Sequence, residues 1–536
     1  MAFIRKETKK SGTYLRFVES YRDQEGKSRH RTLFNLGRAD SYSAESLKRM
    51  GQVLYELGGG TLEELESRQL KETGRYNYGF PIVVDKLMKE YRLDDLLRRR
   101  IANNGLEYDL ADSVRLLICE RLHDPVSKLA SFINQRDYLG LSRIELHQIY
   151  RTLDQLYELQ EPLKYMIYQK GRDLFNQKLD MVFYDLTTFY FNSENEDHLR
   201  EKGFGKDGKI GKTIIVFGML IDQNKQPVGY EVYRGRQYEG HTFEDALQRL
   251  KKKYQIEKVI CVADSGLMNY DNLLATESHG YEYIIGERLK SISRVKQNEI
   301  LDLGKYQRLT VQDHYTNEPF EIMYYITEYK NKKLITTYSK NRAARDKALR
   351  EQRIEKAMML LQNPGKIDKK AKIHYLSKHN NCTYYLDEQK IQNDQRFDGF
   401  LTIATNNTSL STAQVLDAHK QLYKIEQSFR SFKTFLETRP MYHWTERRIL
   451  GHLALCYISF TLLNHLQLRL KHNKTPLSEN QIRKALIKVQ LSKISQNNME
   501  YFLRSSTPQD AQAIMKTLQI KGMPDLIPAQ SLNLYL

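Results

Sequence analysis

Two rhythms of apolar and polar positions run along this 536-residue chain, and the places where the rhythm changes divide it. TYLRFVESYRD and KSRHRTLFNLG alternate with period two around Glu25-Gly26, which predicts a twisted β-hairpin with one basic face. Ser43 to Lys71 has helical spacing, interrupted by Gly58-Gly59-Gly60. Helical spacing then holds from Ile82 to about Lys170, as in LADSVRLLICERL and LHQIYRTLDQLYELQ. That stretch fits an all-α packing module and equally a DNA-docking module of helix-turn-helix type.

From Lys178 the pattern changes to short apolar runs. MVFYDLTTFYF, KTIIVFGMLID and PVGYEVYRG predict three consecutive strands, and TFEDALQRLKKKY a helix. KVICVADSG, NYDNLLATESHG and YEYIIGERL then predict strand, helix and strand. Three strands, helix, strand, helix, strand is the order of a mixed α/β core of ribonuclease-H type, with its first and fourth strands side by side. Between Ser291 and Arg396 the order breaks into strands such as EIMYYITEY and KLITTYS, with a basic helix from Arg342 to Gln362. Strand character resumes at Phe400, so this stretch reads as a β-rich insertion. STAQVLDAHKQLYKIEQSFRSFKTFL predicts one long helix, and the chain beyond Pro440 reads as mostly helical. The expected divisions are 1–75, a basic β-hairpin and helix; 76–175, helical; 176–290, the first part of the core; 291–396, the insertion; 397–440, the core strand and long helix; and 441–536, helical and available for dimerisation.

Charge narrows the partners. Lys and Arg number 84 against 66 Asp and Glu, a formal +18, which points to a polyanion, nucleic acid before membrane. Glu328 to Lys372 alone carries fourteen Lys or Arg and five Asp or Glu, half of that surplus, and is expected to meet DNA phosphates. Four cysteines without paired spacing, and no zinc-type histidine spacing, predict neither disulfides nor structural zinc. The N-terminus has no signal-peptide core. Ile449 to Leu468 lacks Asp, Glu, Lys and Arg but carries His452, Asn464, His465 and Gln467, so it predicts a buried helix and no membrane span. A reducing cytoplasm is the expected compartment.

GFGKDG at Gly203 to Gly208 satisfies a dinucleotide fingerprint in letters only. It follows the polar stretch NSENEDHLREK and leads into a strand, whereas the fingerprint follows a strand and opens a helix. A basic turn is expected there, and no nucleotide cofactor.

Three carboxylates carry the chemistry. Asp185 lies within the first core strand, and Asp264 ends the apolar strand VICVA. An ionised carboxylate there must be solvated, paired or metal-bound. On neighbouring parallel strands the two would reach one sheet edge and could share a hard cation such as Mg²⁺. At about 100° per residue, His419, Tyr423, Glu426, Arg430 and Lys433 fall on one stripe of the long helix. Leu422, Ile425, Phe429, Phe432 and Leu436 form the adjacent apolar seam. Glu426 would then face the aspartates, with Arg430 and Lys433 beside it to hold phosphates. Taken singly, each Asp also reads as a strand-end turn former, and Glu426 with Arg430 as an i,i+4 pair.

YDLTT, ADSGLMNYDNL and IEQSFRSFKTFLETRP resemble the three acidic motifs of DDE insertion-sequence transposases, in the group with a β-rich insertion between the second Asp and the Glu. The third family motif runs Tyr, two residues, Arg, three residues, Glu, six residues, Lys. Glu426 and Lys433 match it, while His419 holds the Tyr position and Leu422 the Arg position; Tyr423 and Arg430 could substitute. The resemblance implies cut-and-paste transposition, with Asp185, Asp264 and Glu426 as catalytic residues holding two Mg²⁺ ions, Mn²⁺ substituting. It further implies double-stranded DNA partners, the terminal inverted repeats and the target, and a homodimer on paired ends near the bacterial nucleoid. Relatives form a hairpinned end with a flipped base, for which Trp444 or Tyr442 could provide the stack. Two other readings share these residues: a metal-dependent nuclease without strand transfer, and a non-catalytic, domesticated DNA-binding protein.

Overall fold

The computed structural model describes residues 2–535 except 10, 25, 61–70, 176–179, 194, 205–209, 237–245, 247, 249–251, 253–258, 265–269, 313–318, 364–373, 380–382 and 497–498. The chain divides into two compact units, one of residues 1–75, 491–504 and 523–535, the other holding nearly all the rest.

The first unit opens with three antiparallel strands, β1 (Ala2–Lys9), β2 (Gly12–Arg22) and β3 (Ser28–Arg38), in that order. The expected hairpin is β2–β3; AFIRKETK adds a third strand, pairing from Ala2 opposite Glu19 to Lys9 opposite Gly12. Its polar, charged sequence hides it from a reading based on apolar alternation. In α1 (Ala44–Leu57) the Ser43 side chain accepts from the Ser46 amide, and Gly58 and Gly59 end the helix, Gly59 at φ +81°. β4 spans Lys71–Asn77.

The second unit begins with α2 (Gly79–Glu90), α3 (Leu93–Asn104), α4 (Leu110–His123), α5 (Lys128–Asn134) and α6 (Leu146–Phe175). α4 is buried from Leu110 to Leu122 apart from Asp112, so it is the central helix of this group. The core sheet follows: β5 (Met181–Tyr190), β6 (Glu201–Phe204), β7 (Ile210–Asp222), β8 (Pro227–Arg234), β9 (Ile260–Ala263), then α7 (Tyr270–Ser278) and β10 (Glu282–Glu287). β5 pairs parallel with β9 and β9 parallel with β10, while β7 runs antiparallel to both β5 and β8. The first and fourth of the strands foreseen here therefore do lie side by side. Residues 205–209 fall outside the described residues, but the glycine-rich stretch joins β6 to β7. The polar run before it thus ends in a strand that apolar patterning missed. Most of the expected helix over 242–254 also lies outside the described residues.

Next come α8 (Arg294–Leu301), β11 (Gln307–Gln312), β12 (Pro319–Tyr329), β13 (Lys332–Tyr338), α9 (Lys340–Gln362), β14 (Leu376–His379), β15 (Thr383–Leu386), α10 (Glu388–Gln395) and β16 (Phe400–Thr405). β16 pairs with β10 on one side and β13 on the other, so β11–β13 extend the core sheet to ten described strands. Leu334 and Ile335 are fully buried in that extension.

The expected long helix is broken. α11 (Thr412–Lys420) and α12 (Tyr423–Arg430) are separated at Gln421–Leu422, where the backbone tightens to i→i+3 bonds such as Leu422 N to His419 O. Ser431–Phe435 is a π turn. α13 (Glu446–His472) follows; it is the helix apolar enough to cross a membrane among the described residues, and its apolar window is wholly buried. After α14 (Glu479–Ile487) come β17 (Gln490–Gln496), β18 (Met499–Arg504), α15 (Gln509–Thr517) and β19 (Leu526–Pro528). The end of the chain is therefore not mostly helical: β19, β18, β17 and β4 form a four-stranded sheet of the first unit. β4 meets β17 from the far end of the chain, which a local pattern does not carry, while β17 and β18 form a local hairpin whose largely polar strands apolar patterning missed.

Candidate active site

β5 positions Asp185. The strand is buried on both sides, with Asp185 half-exposed between buried Tyr184 and Leu186. Its Oδ1 accepts from the Leu186 amide at 2.7 Å. On β9, Met181 faces Ile260, Val182 faces Cys261 and Phe183 faces Val262. The same offset carried two residues further sets Asp185 level with Asp264. Residues level on adjacent strands point to one face. β9 is buried throughout and Asp264, directly after it, is exposed.

The two helices that follow β16 cross the aspartates' strands. α11 packs on β9 and β10, and α12 packs on β5. The seam is apolar as expected, with Ile425, Phe429, Phe432 and Leu436 buried and Leu422 half-buried. Glu426 and Arg430 are exposed, Tyr423 and Lys433 half-buried. No ion pair joins Glu426 to Arg430 among the described residues, so the ordinary i,i+4 reading does not apply. His419 lies on α11, which packs on β9 and β10, just before the break at Gln421–Leu422. There burial holds the His419 imidazole down at about 4, Asp264 favours its protonation and Arg342 opposes it. His419 is therefore neutral at pH 7, within electrostatic reach of Asp264.

Among the described residues, no three His, Cys, Asp or Glu side chains are gathered closely enough to hold a metal ion. The donor set fits a hard divalent cation by its chemistry, carboxylate oxygens alone. The structure aligns Asp185 with Asp264 and seats the Glu426 helix on β5, but it does not close the three acids into a ligand cluster.

Trp444 and Tyr442 are 65% and 69% exposed, so neither is a core aromatic. The segment before them is pinned to the end of β5: the Met441 amide donates to Tyr190 O at 3.2 Å, and Arg439 lies over the Tyr190 ring at 5.6 Å.

Sequence reasoning missed what holds the Glu426 helix. Arg121 Nη1 donates to Leu436 O at 2.9 Å, and Arg483 Nη2 to Phe435 O at 2.9 Å. Arg483 also lies 3.8 Å over the Phe435 ring and donates from Nε to Leu122 O at 2.8 Å. These cations satisfy the carbonyls at the helix's C-terminal end. Behind them His443 and His452 pack at 4.9 Å beside Lys128 and Arg121. Burial holds His443 at about 3, His452 well below its usual value and Lys128 down to about 7.

Two family models match the chain: a transposase DDE domain over residues 182–462, more than half of its length, and the N-terminal domain of IS1634 family transposases over residues 4–59. No curated protein matches. Among solved structures, the chain is similar to the piggyBac transposase in a synaptic complex with hairpin DNA, at 11% identity and a TM-score of 0.38, covering 76% of this chain and 78% of that one. It also matches the Mos1 transposase in a paired-end complex with the left transposon end, at 13% identity and a TM-score of 0.15, over 35% of this chain and 57% of that one.

Proposed function

The chain belongs to the DDE transposase family and is an insertion-sequence DNA transposase, and on that footing we propose that it moves its element by metal-dependent cut and paste, with Asp185, Asp264 and Glu426 as the acidic triad. The observation that carries the triad is the parallel register of β5 with β9, which brings Asp185 and Asp264 level on adjacent strands, with the Glu426 helix packed on β5. The order β8-β7-β5-β9-β10 supports a ribonuclease-H-like core, and β11–β13 its insertion.

DDE enzymes generally depend on divalent cations; here two Mg²⁺ ions, or Mn²⁺, are proposed. Bound divalent cations would make water, and later a 3′-hydroxyl, nucleophilic at neutral pH and would offset charge on the leaving oxygen. The chain's own part is to hold and position. In this reading the three carboxylates supply ligands, and Arg430, Lys433 and Tyr423 hold backbone phosphates. Trp444, exposed to solvent, would stack an unpaired base. The DNA partners proposed are the element's terminal repeats and a target duplex, met by a homodimer in the cytosol.

Metal ligation has a direct test. Asp264→Cys replaces a hard oxygen donor with a thiolate, which favours Mn²⁺ over Mg²⁺. Cleavage of element ends should vanish in Mg²⁺ and partly return in Mn²⁺. Full activity of the variant in Mg²⁺ would remove Asp264 from the metal site.

A further inference from the structure

β13 runs straight into α9, and register fixes where that junction lies. Ala263 faces Ile285, Gly286 faces Ile403, and Ile403 faces Ile335. Asp264, one residue past Ala263, is therefore level with Gly286, Ile403 and Ile335. Tyr338 pairs with Phe400, three residues further towards the edge where β9 and β10 end. α9 thus begins towards the end of the sheet at which β9 runs out into Asp264, three strand spacings or about 14 Å from β9.

Its first turns are fastened there. The Ser339 amide donates to Gly399 O at 3.1 Å, the Gly399 amide donates to Asp346 Oδ2 at 3.0 Å, and buried Arg350 pairs with Asp398. Gly399 sits at φ +87°, and a Cβ there would come within 2.7 Å of the Tyr338 ring and 2.9 Å of Ala343 Cβ. The core therefore sets the position of Arg342. That side chain is 46% exposed, with only a loose 3.8 Å contact to Asp346. Arg342 and Asp264 act in opposite senses on the same His419 ring, whose buried Nε2 has no hydrogen-bond partner among the described residues.

Carboxylates repel an entering phosphodiester unless cations flank them. Arg430 and Lys433 flank the β5 side, and the family's motif Arg is replaced by Leu422. We propose that Arg342 holds a backbone phosphate of the DNA strand entering the site, on the β10 side of Asp264. The proposal rests on the transposase reading. A guanidinium can grip two phosphate oxygens at once, so Lys would replace it only in part.

The test uses the full chain and labelled element ends, with Arg342→Ala, Arg342→Lys and exposed Lys484→Ala as the control. At saturating protein, Arg342→Ala should cleave at least tenfold more slowly than wild type, Arg342→Lys should recover part of the rate, and Lys484→Ala should match wild type. One lost phosphate contact should also flatten the slope of log affinity against log salt by about 0.9, a change that a merely structural role would not produce. Cleavage by Arg342→Ala within twofold of wild type, with an unchanged slope, would overturn the proposal and leave the transposase reading standing. Inactivity of wild type in every divalent cation would instead overturn that reading, and the proposal with it.

Discussion

Asp222 and Asp185 show how carboxylates on one sheet differ in use. Asp222, fully buried, accepts from the Asn224 and Gln226 amides at 2.8 and 2.7 Å and so closes the β7–β8 turn. Asp222→Ala should lower unfolding free energy by about 2 kcal/mol, read from urea midpoints, through loss of these charged hydrogen bonds. Trp444→Ala should act on binding instead of on stability. Being exposed, it should leave stability within about 0.5 kcal/mol of wild type, while a lost base stack should weaken binding of an end with an unpaired base by about 1–3 kcal/mol. Asp264 was legible because a charge at the end of VICVA has no apolar reason to be there. His419 was legible as a position, but its place beside Asp264 was not, because the break at Gln421–Leu422 depends on packing against β9 and β10.

At the level of elements, the Glu426 helix is held by residues remote in sequence. Arg121 and Arg483 reach its last carbonyls from opposite parts of the chain. No motif spacing could have announced them, since neither lies near the segment that it caps. Arg483→Ala should lower the urea midpoint by the equivalent of about 2 kcal/mol and slow end cleavage more than it weakens end binding. A variant that keeps its full cleavage rate would show that the cap does not position Glu426. Behind this cap, His443 and His452 are held neutral, chiefly by burial. In the unfolded chain they titrate near 6.5, so as pH falls below that value the unfolded state takes up protons that the folded state refuses. The histidines' contribution to stability should therefore be complete above pH 7 and decline towards pH 5. In His443→Gln the decline, followed by urea midpoints, should be shallower.

For the whole molecule, the sheet explains what the linear divisions could not. The core strands were legible because each is a short apolar run bounded by polar turns. Less legible was that β11–β13 would continue the same sheet through β16, because edge pairing is decided in space. The same limit hid the pairing of β4 with β17. The surplus of +18 makes salt the lever on DNA affinity. With six to ten phosphate contacts, affinity should fall by about 10³–10⁵ between 50 and 200 mM salt. Incubating DNA that carries the element's ends with wild type and with Glu426→Gln, without metal and with Mg²⁺ or Mn²⁺, decides whether the proposed triad cuts. Cuts at the ends should require a divalent cation and fall at least about a hundredfold in the variant, since losing a carboxylate that holds metal would forfeit several kcal/mol of transition-state stabilisation. Cutting by Glu426→Gln at the wild-type rate would contradict the proposed triad.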